Sequence, residues 1–190
     1  MGREGKSVGD GDRRLAEETL RSEEVFRGTL ITVRREEVRL PDGRCARREI
    51  VGHAPAVAIL PLDDQDRALL VRQYRKPLDQ ALWEVPAGKI DPGETPEECA
   101  RRELAEEAGV EAAVWECLGP VATTPGFTDE IIHLYVARGL TKASGARADE
   151  DEFLEVEAVP FAEVLAMVES GALWDAKSVC LVLREAVRRR

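Results

Sequence analysis

Gly88-Lys-Ile-Asp-Pro-Gly-Glu-Thr-Pro-Glu-Glu-Cys-Ala-Arg-Arg-Glu-Leu-Ala-Glu-Glu-Ala-Gly-Val110 reads as a loop, a helix and a stop. Asp91-Pro92-Gly93 is a turn signal. Thr95 offers a hydroxyl as N-cap, Pro96 suits the first helical position, and Glu98 completes a Thr-x-x-Glu capping box. Gly109 ends the run as a residue at ease in the left-handed region. The spacing therefore predicts a helix over Pro96–Ala108.

The load on that helix is harder to explain by folding alone. Glu103, Glu106 and Glu107 stand at i, i+3 and i+4, so their carboxylates crowd one side. Like charges at that spacing cost roughly 0.2–0.5 kcal/mol per pair, and the C-terminal half of a helix disfavours anions. Arg102 can partner Glu98 or Glu106 but cannot neutralise every carboxylate. A solvated acidic face is the ordinary account of such a cluster. A hard divalent cation such as Mg²⁺ or Mn²⁺ would instead turn the crowding into an advantage.

The wider spacing decides between them. Gly88, five residues, Glu94, seven residues, Arg102-Glu103-Leu104, one residue, Glu106-Glu107, one residue and Gly109-Val110 resembles the signature of the Nudix hydrolases at every fixed position. With typical residue frequencies, chance agreement falls below about one in a million. The resemblance implies an enzyme dependent on Mg²⁺, with Mn²⁺ as a substitute, that cleaves a nucleoside diphosphate linked to another moiety.

The rest of the chain agrees with an enzyme of that kind. Its 190 residues suffice for one domain with a well-buried core, or for a domain plus a small appendage, and its net charge of −10 opposes nucleic acid and membrane surfaces. Cys45, Cys99, Cys117 and Cys180 are scattered with no metal-ligand spacing, and no secretory or membrane-length apolar run is present. The expected setting is the cytoplasm.

Residues 1–14 read as a disordered tail, 15–52 as an N-terminal β region and 53–190 as the catalytic domain. Leu15 to Val25 fits a short helix or an edge strand equally. Gly28–Leu40 and Arg44–Val51 flank the turn Pro41-Asp42-Gly43 as an antiparallel hairpin, too polar to bury both faces. Ala54–Leu62 is nearly all apolar, as in a strand covered on both sides. Arg67–Arg75, Leu82–Val85, Val114–Val121, Ile131–Val136 and Phe153–Val159 read as further strands. A helix opens at Pro160-Phe161, and a C-terminal one spans Ala176–Arg188 with Val179, Leu183 and Val187 as its stripe and Cys180 beside it. The fold class is α/β, a mixed β-sheet sandwiched between helices behind an antiparallel hairpin region, which also resembles the Nudix fold.

Pro125, sixteen residues beyond Gly109 and within Thr124-Pro-Gly-Phe-Thr-Asp-Glu130, resembles the ADP-ribose pyrophosphatase subfamily. So do Phe26-Arg27-Gly28, Arg48-Glu49-Ile50-Val51, Val71-Arg-Gln-Tyr-Arg75 and Trp83-Glu-Val-Pro-Ala-Gly88. That resemblance implies a homodimer that exchanges N-terminal strands and splits ADP-ribose into AMP and ribose 5-phosphate. It implies that Glu103, Glu107 and the carbonyl of Ala87 bind metal, with Glu106 as a ligand or a group behind the ligands and Arg102 in the catalytic set. Arg75, Glu84, Gly88 and Phe127 would face the substrate, and Thr29, Leu30, Arg47 and Glu49 of the other chain would hold its adenosine end. For Arg47, Arg48 and Glu49, ordinary cross-strand pairing is the competing account. A solvated charge run is the ordinary account of Asp149-Glu150-Asp151-Glu152; the resemblance implies Glu150 as the general base and Glu152 as a metal ligand, with Asp149 and Asp151 open as alternatives. Another nucleotide-sugar or dinucleotide remains open as substrate. A non-catalytic ADP-ribose sensor would want a lost carboxylate in the motif, and none is lost.

Overall fold

The computed structural model describes residues 14–144 and 153–190. The predicted tail and the Asp149–Glu152 run therefore fall outside the described residues, apart from Arg14. The chain divides into two units, Met1–His53 with Thr124–Asp129, and Ala54–Thr123 with Glu130–Arg190.

In the first unit β1 (Glu18–Arg27), β2 (Ile31–Arg39) and β3 (Cys45–His53) form an antiparallel sheet in that order. The segment that fitted helix or strand equally is a strand, so the expected hairpin has a third member. Complementary charge helps to explain why: Glu18 lies opposite Arg39, Glu23 opposite Arg35 and Glu24 opposite Arg34. The same logic pairs Arg48 with Glu36, Arg47 with Glu37 and Glu49 with Arg35 across β2 and β3. Gly43, at φ 88, closes the turn between β2 and β3, as only a residue free of Cβ strain does readily. Every residue of β1 is exposed, and Val38 is the one buried hydrophobic residue of this sheet among those described. Thr124–Asp129 joins the unit through the outer edge of β3: Val51 N–H donates to Phe127 O at 2.7 Å and Asp129 N–H to Val51 O at 3.2 Å.

The second unit holds β4 (Ala56–Leu62), β5 (Arg67–Arg75), β6 (Gln80–Glu84), β7 (Ala87–Lys89), α1 (Pro96–Ala108), β8 (Val110–Ala122), β9 (Ile131–Lys142), β10 (Leu154–Pro160), α2 (Phe161–Ser170) and α3 (Ala176–Arg188). The sheet order is β10-β5-β4-β9-β8, with β6 on β5 and β7 on β4. Because β4 and β9 run parallel while the other pairs are antiparallel, the sheet is mixed. Its centre is β4, buried throughout. Val57 and Ile59 pack towards Cys99, Ala100 and Leu104 of α1, whereas Ala58, Leu60 and Leu62 belong to the cluster with Val164 of α2 and Leu181 and Val182 of α3. A strand with helices on both faces has no polar side, which is why this run lacks alternation.

β4 and β5 are registered as partners only at Leu62 and Ala68. Beyond that point β5 pairs with β6 and β4 with the short β7, a strand the sequence did not signal. β7 thereby carries Ala87 and Gly88 beside α1.

The C-terminal helix has the predicted limits but not the predicted face. Ser178, Leu181, Val182 and Glu185 are buried, whereas Leu183 is 42% and Val187 64% exposed. The true stripe contains two polar residues, each satisfied by a partner. Ser178 bonds Asp175 and Val85, and Glu185 pairs with Arg138 and Arg189. A count of apolar spacing passes over such positions.

Candidate active site

α1 begins and ends where its sequence says. Thr95 accepts from Glu98 N–H, Glu98 accepts from Thr95 N–H at 2.8 Å, and Gly109 stands in the left-handed region at φ 66. Glu98 is thus spent on the cap and does not pair with Arg102, which corrects one of the two partners expected for that arginine. Arg102 instead braces the loop before the helix. Its Nε and Nη2 donate to both oxygens of Glu94 at 2.9 and 3.0 Å, and Nη2 also donates to Lys89 O at 3.1 Å. Its Nη1 reaches Glu103 at 2.6 Å and Glu106 at 3.0 Å. The acidic helix is therefore better compensated than its sequence suggests. Hydrogen bonds from Arg102 hold the Glu94 carboxyl down at about 2, and the same carboxylates raise the Arg102 pKa.

Glu103 and Glu107 lie on the buried side of α1, 9% and 6% exposed, next to Ala100 and Leu104. Glu107 accepts a hydrogen bond from Ala87 N–H at 2.9 Å. Gly88 faces Glu103 so closely that a Cβ on Gly88 would fall on the carboxylate. Cys99 lies beneath the same loop with its thiol 3.3 Å from Lys89 O, and burial pushes that thiol up to about 12. Ala87, Gly88, Arg102, Glu103, Glu106 and Glu107 are thus gathered by one strand, one loop and one helix.

The donor chemistry suits a hard divalent cation: carboxylate oxygens, two of them on nearly buried side chains, beside a backbone without a Cβ at Gly88. Among the described residues, no three carboxylate, imidazole or thiol side chains converge on one cation position. Glu103 and Glu106 are drawn to the guanidinium of Arg102, whose positive charge holds them together.

Arg75 and Glu84 form a second cluster in this unit. Glu84, 1% exposed, accepts from Arg75 Nε at 2.7 Å and Nη2 at 2.6 Å, and also from Lys177 Nζ. Burial alone would raise its pKa, but the Arg75 hydrogen bonds and the Lys177 charge hold it below the ordinary value. Lys177 and Asp175 were not singled out from the sequence; Asp175 three residues before Ser178 is a legible N-cap signal.

In the first unit, Thr29 and Leu30 lie exposed between β1 and β2, Leu30 with 54% of its surface free. Arg47 and Glu49 are exposed on one face of β3, opposite Glu37 and Arg35. Glu49 and Phe127 share a cavity of about 370 Å³ with Arg48, Ile50 and Pro125. Glu150 and Glu152 lie outside the described residues.

Residues 52–182 match the NUDIX domain, and residues 17–51 match the nucleoside diphosphate sugar hydrolase N-terminal domain. The chain is 41% identical over 179 residues to the methanol dehydrogenase activator of Bacillus methanolicus, covering 92% of this chain and 97% of the relative. The same identity and coverage hold for the ADP-ribose pyrophosphatase of Bacillus subtilis (strain 168). A crystal structure of an ADP compounds hydrolase superposes with a TM-score of 0.81 at 28% identity, over 92% of this chain and 96% of that one. A capped helix bearing every fixed residue of the motif, in a mixed sheet between helices, together with these matches, means that the chain belongs to the Nudix hydrolase family.

Proposed function

We propose that this protein hydrolyses the diphosphate of ADP-ribose, releasing AMP and ribose 5-phosphate, with Mg²⁺ as cofactor and Mn²⁺ as a substitute. The observation that carries the substrate is likeness over almost the whole chain, N-terminal region included, to a relative named ADP-ribose pyrophosphatase. The chemistry rests on the carboxylates of α1 beside Gly88.

Glu103, Glu107, Glu152 and the Ala87 carbonyl would hold the metal, which when bound neutralises diphosphate charge and acidifies water. Arg102 keeps Glu94, Glu103 and Glu106 aligned with the loop. Arg75 offers a half-exposed guanidinium to the substrate's phosphates, while Glu84 acts behind it. Glu150 accepts the proton of the water that adds to phosphorus, because carboxylates committed to a cation are poor bases. Thr29, Leu30, Arg47 and Glu49 of a second copy, with Phe127, hold the adenosine end in a homodimer. No described helix is long and apolar enough to cross a membrane, and the four cysteines are free thiols, which fits a cytoplasmic setting.

Product analysis tests this reading. Purified protein with Mg²⁺ should turn ADP-ribose into AMP and ribose 5-phosphate faster than it cleaves a panel of other nucleoside diphosphate sugars. A higher kcat/KM on another member of that panel would move the assignment to that sugar.

A further inference from the structure

One charged side chain of the second unit is buried at a place where folding alone disfavours it. Lys177 stands in the first turn of α3, where the helix dipole opposes a cation, and only 11% of its side chain meets solvent. Its ammonium donates to Glu84 Oε2 and, at 2.9 Å, to Asp175 Oδ2. Each neighbour is fixed in turn. Asp175 caps α3, accepting from Ser178 N–H at 3.1 Å and Ser178 Oγ at 2.6 Å, and Ser178 Oγ accepts from Val85 N–H at 2.9 Å. Glu84 holds Arg75 through two hydrogen bonds. The result is an alternating chain of charges, Asp175, Lys177, Glu84 and Arg75, tied to the backbone at one end. The other end is a guanidinium with 38% of its side chain exposed, and Glu107 of α1 is among the charges that act on it.

Buried ion networks contribute little net stability compared with apolar packing, so stability is a weak reason for this arrangement. Direction is a better one. A guanidinium held by a single carboxylate still pivots with that carboxylate, and the Lys177 ammonium, sharing Glu84 Oε2 with Arg75 Nη2, ties that carboxylate to the start of α3.

We propose that Lys177 is a positioning residue: by clamping Glu84 against Asp175 it fixes the Arg75 guanidinium in the orientation that grips the substrate's diphosphate. The inference rests on the proposed hydrolysis of a nucleoside diphosphate. It adds a contribution from α3, remote in sequence from the motif.

A double-mutant cycle separates this role from a structural one. Lys177→Met and Lys177→Gln should each lower kcat/KM about tenfold to a hundredfold, chiefly through KM, since a misplaced binding group costs on that order. In an Arg75→Ala background the same substitutions should cost almost nothing further. Lys177→Arg, which keeps the charge, should restore most of the loss. Equal losses with and without Arg75, or no loss at all, would overturn the proposal. A second readout needs no substrate: the NMR signal of Arg75 Nε–H should be protected from exchange in the wild type and in Lys177→Arg, and lose protection in the neutral variants. Should the wild type cleave no nucleoside diphosphate, the functional reading fails while this signal still decides whether Lys177 fixes Arg75. If a neutral variant does not fold, the other neutral variant and Lys177→Arg carry both readouts, and a protected Arg75 in a folded neutral variant refutes the link.

Discussion

The carboxylate of Glu103 occupies the space that a Cβ on Gly88 would fill. The glycine therefore serves close approach of strand to helix rather than a turn. Gly88→Ala should push Glu103 aside, lower kcat/KM about a hundredfold, and raise the Mg²⁺ concentration needed for half the maximal rate. A metal titration of both proteins checks this, and an unchanged titration would remove Gly88 from the metal's surroundings.

Glu107 accepts from Ala87 N–H and is almost fully buried. Glu107→Gln keeps the shape but removes the charge, so most activity should go while the fold stays. Wild-type protein should melt at a higher temperature with Mg²⁺ or Mn²⁺, and the variant should gain less. Equal metal-induced gains in both would rule Glu107 out as a ligand.

The Arg102 bonds that hold Glu94 at about 2, against an ordinary 4.5, link stability to pH. A carboxyl depressed on folding stabilises the native state above its unfolded pKa and loses that contribution as pH falls through the folded one. Arg102→Leu should cost roughly 1.5–3 kcal/mol at pH 7. The gap between variant and wild type should narrow as pH drops from 4.5 towards 2. Urea midpoints at pH 7, 4 and 3 read it, and a gap independent of pH would contradict the linkage.

Glu150 is the proposed general base. Glu150→Gln should lower kcat by about 10²–10⁴ with little change in KM, the usual range for loss of a general base. Glu152→Gln should instead respond to added Mg²⁺. A Glu150→Gln enzyme that keeps more than about a third of the wild-type kcat, on that same scale, would move the base to Glu152 or Glu106.

The N-terminal sheet is exposed along all of β1, with Leu20, Val25, Phe26 and Leu30 open to solvent. An uncovered sheet of this kind invites a partner. Light scattering should report twice the chain mass. A strict monomer with full activity on ADP-ribose would end the idea of a shared site.

What the sequence determined by itself is local. The limits of α1 follow from Thr95, Pro96, Glu98 and Gly109, because caps and turns act within a few residues. The register of Glu103 and Glu107 follows from helical geometry, and the two-faced burial of β4 from its unbroken apolar run. The tertiary structure alone decided that Arg102 would hold Glu94 rather than Glu98, that Gly88 would admit Glu103, and that α3 would bury Ser178 and Glu185 rather than Val187. It also decided that Lys177 would meet Glu84, 93 residues away. The physical reason is shared by all four. A polar group is buried only where its partner waits, and the partner's position depends on how strands and helices pack, not on its spacing along the chain.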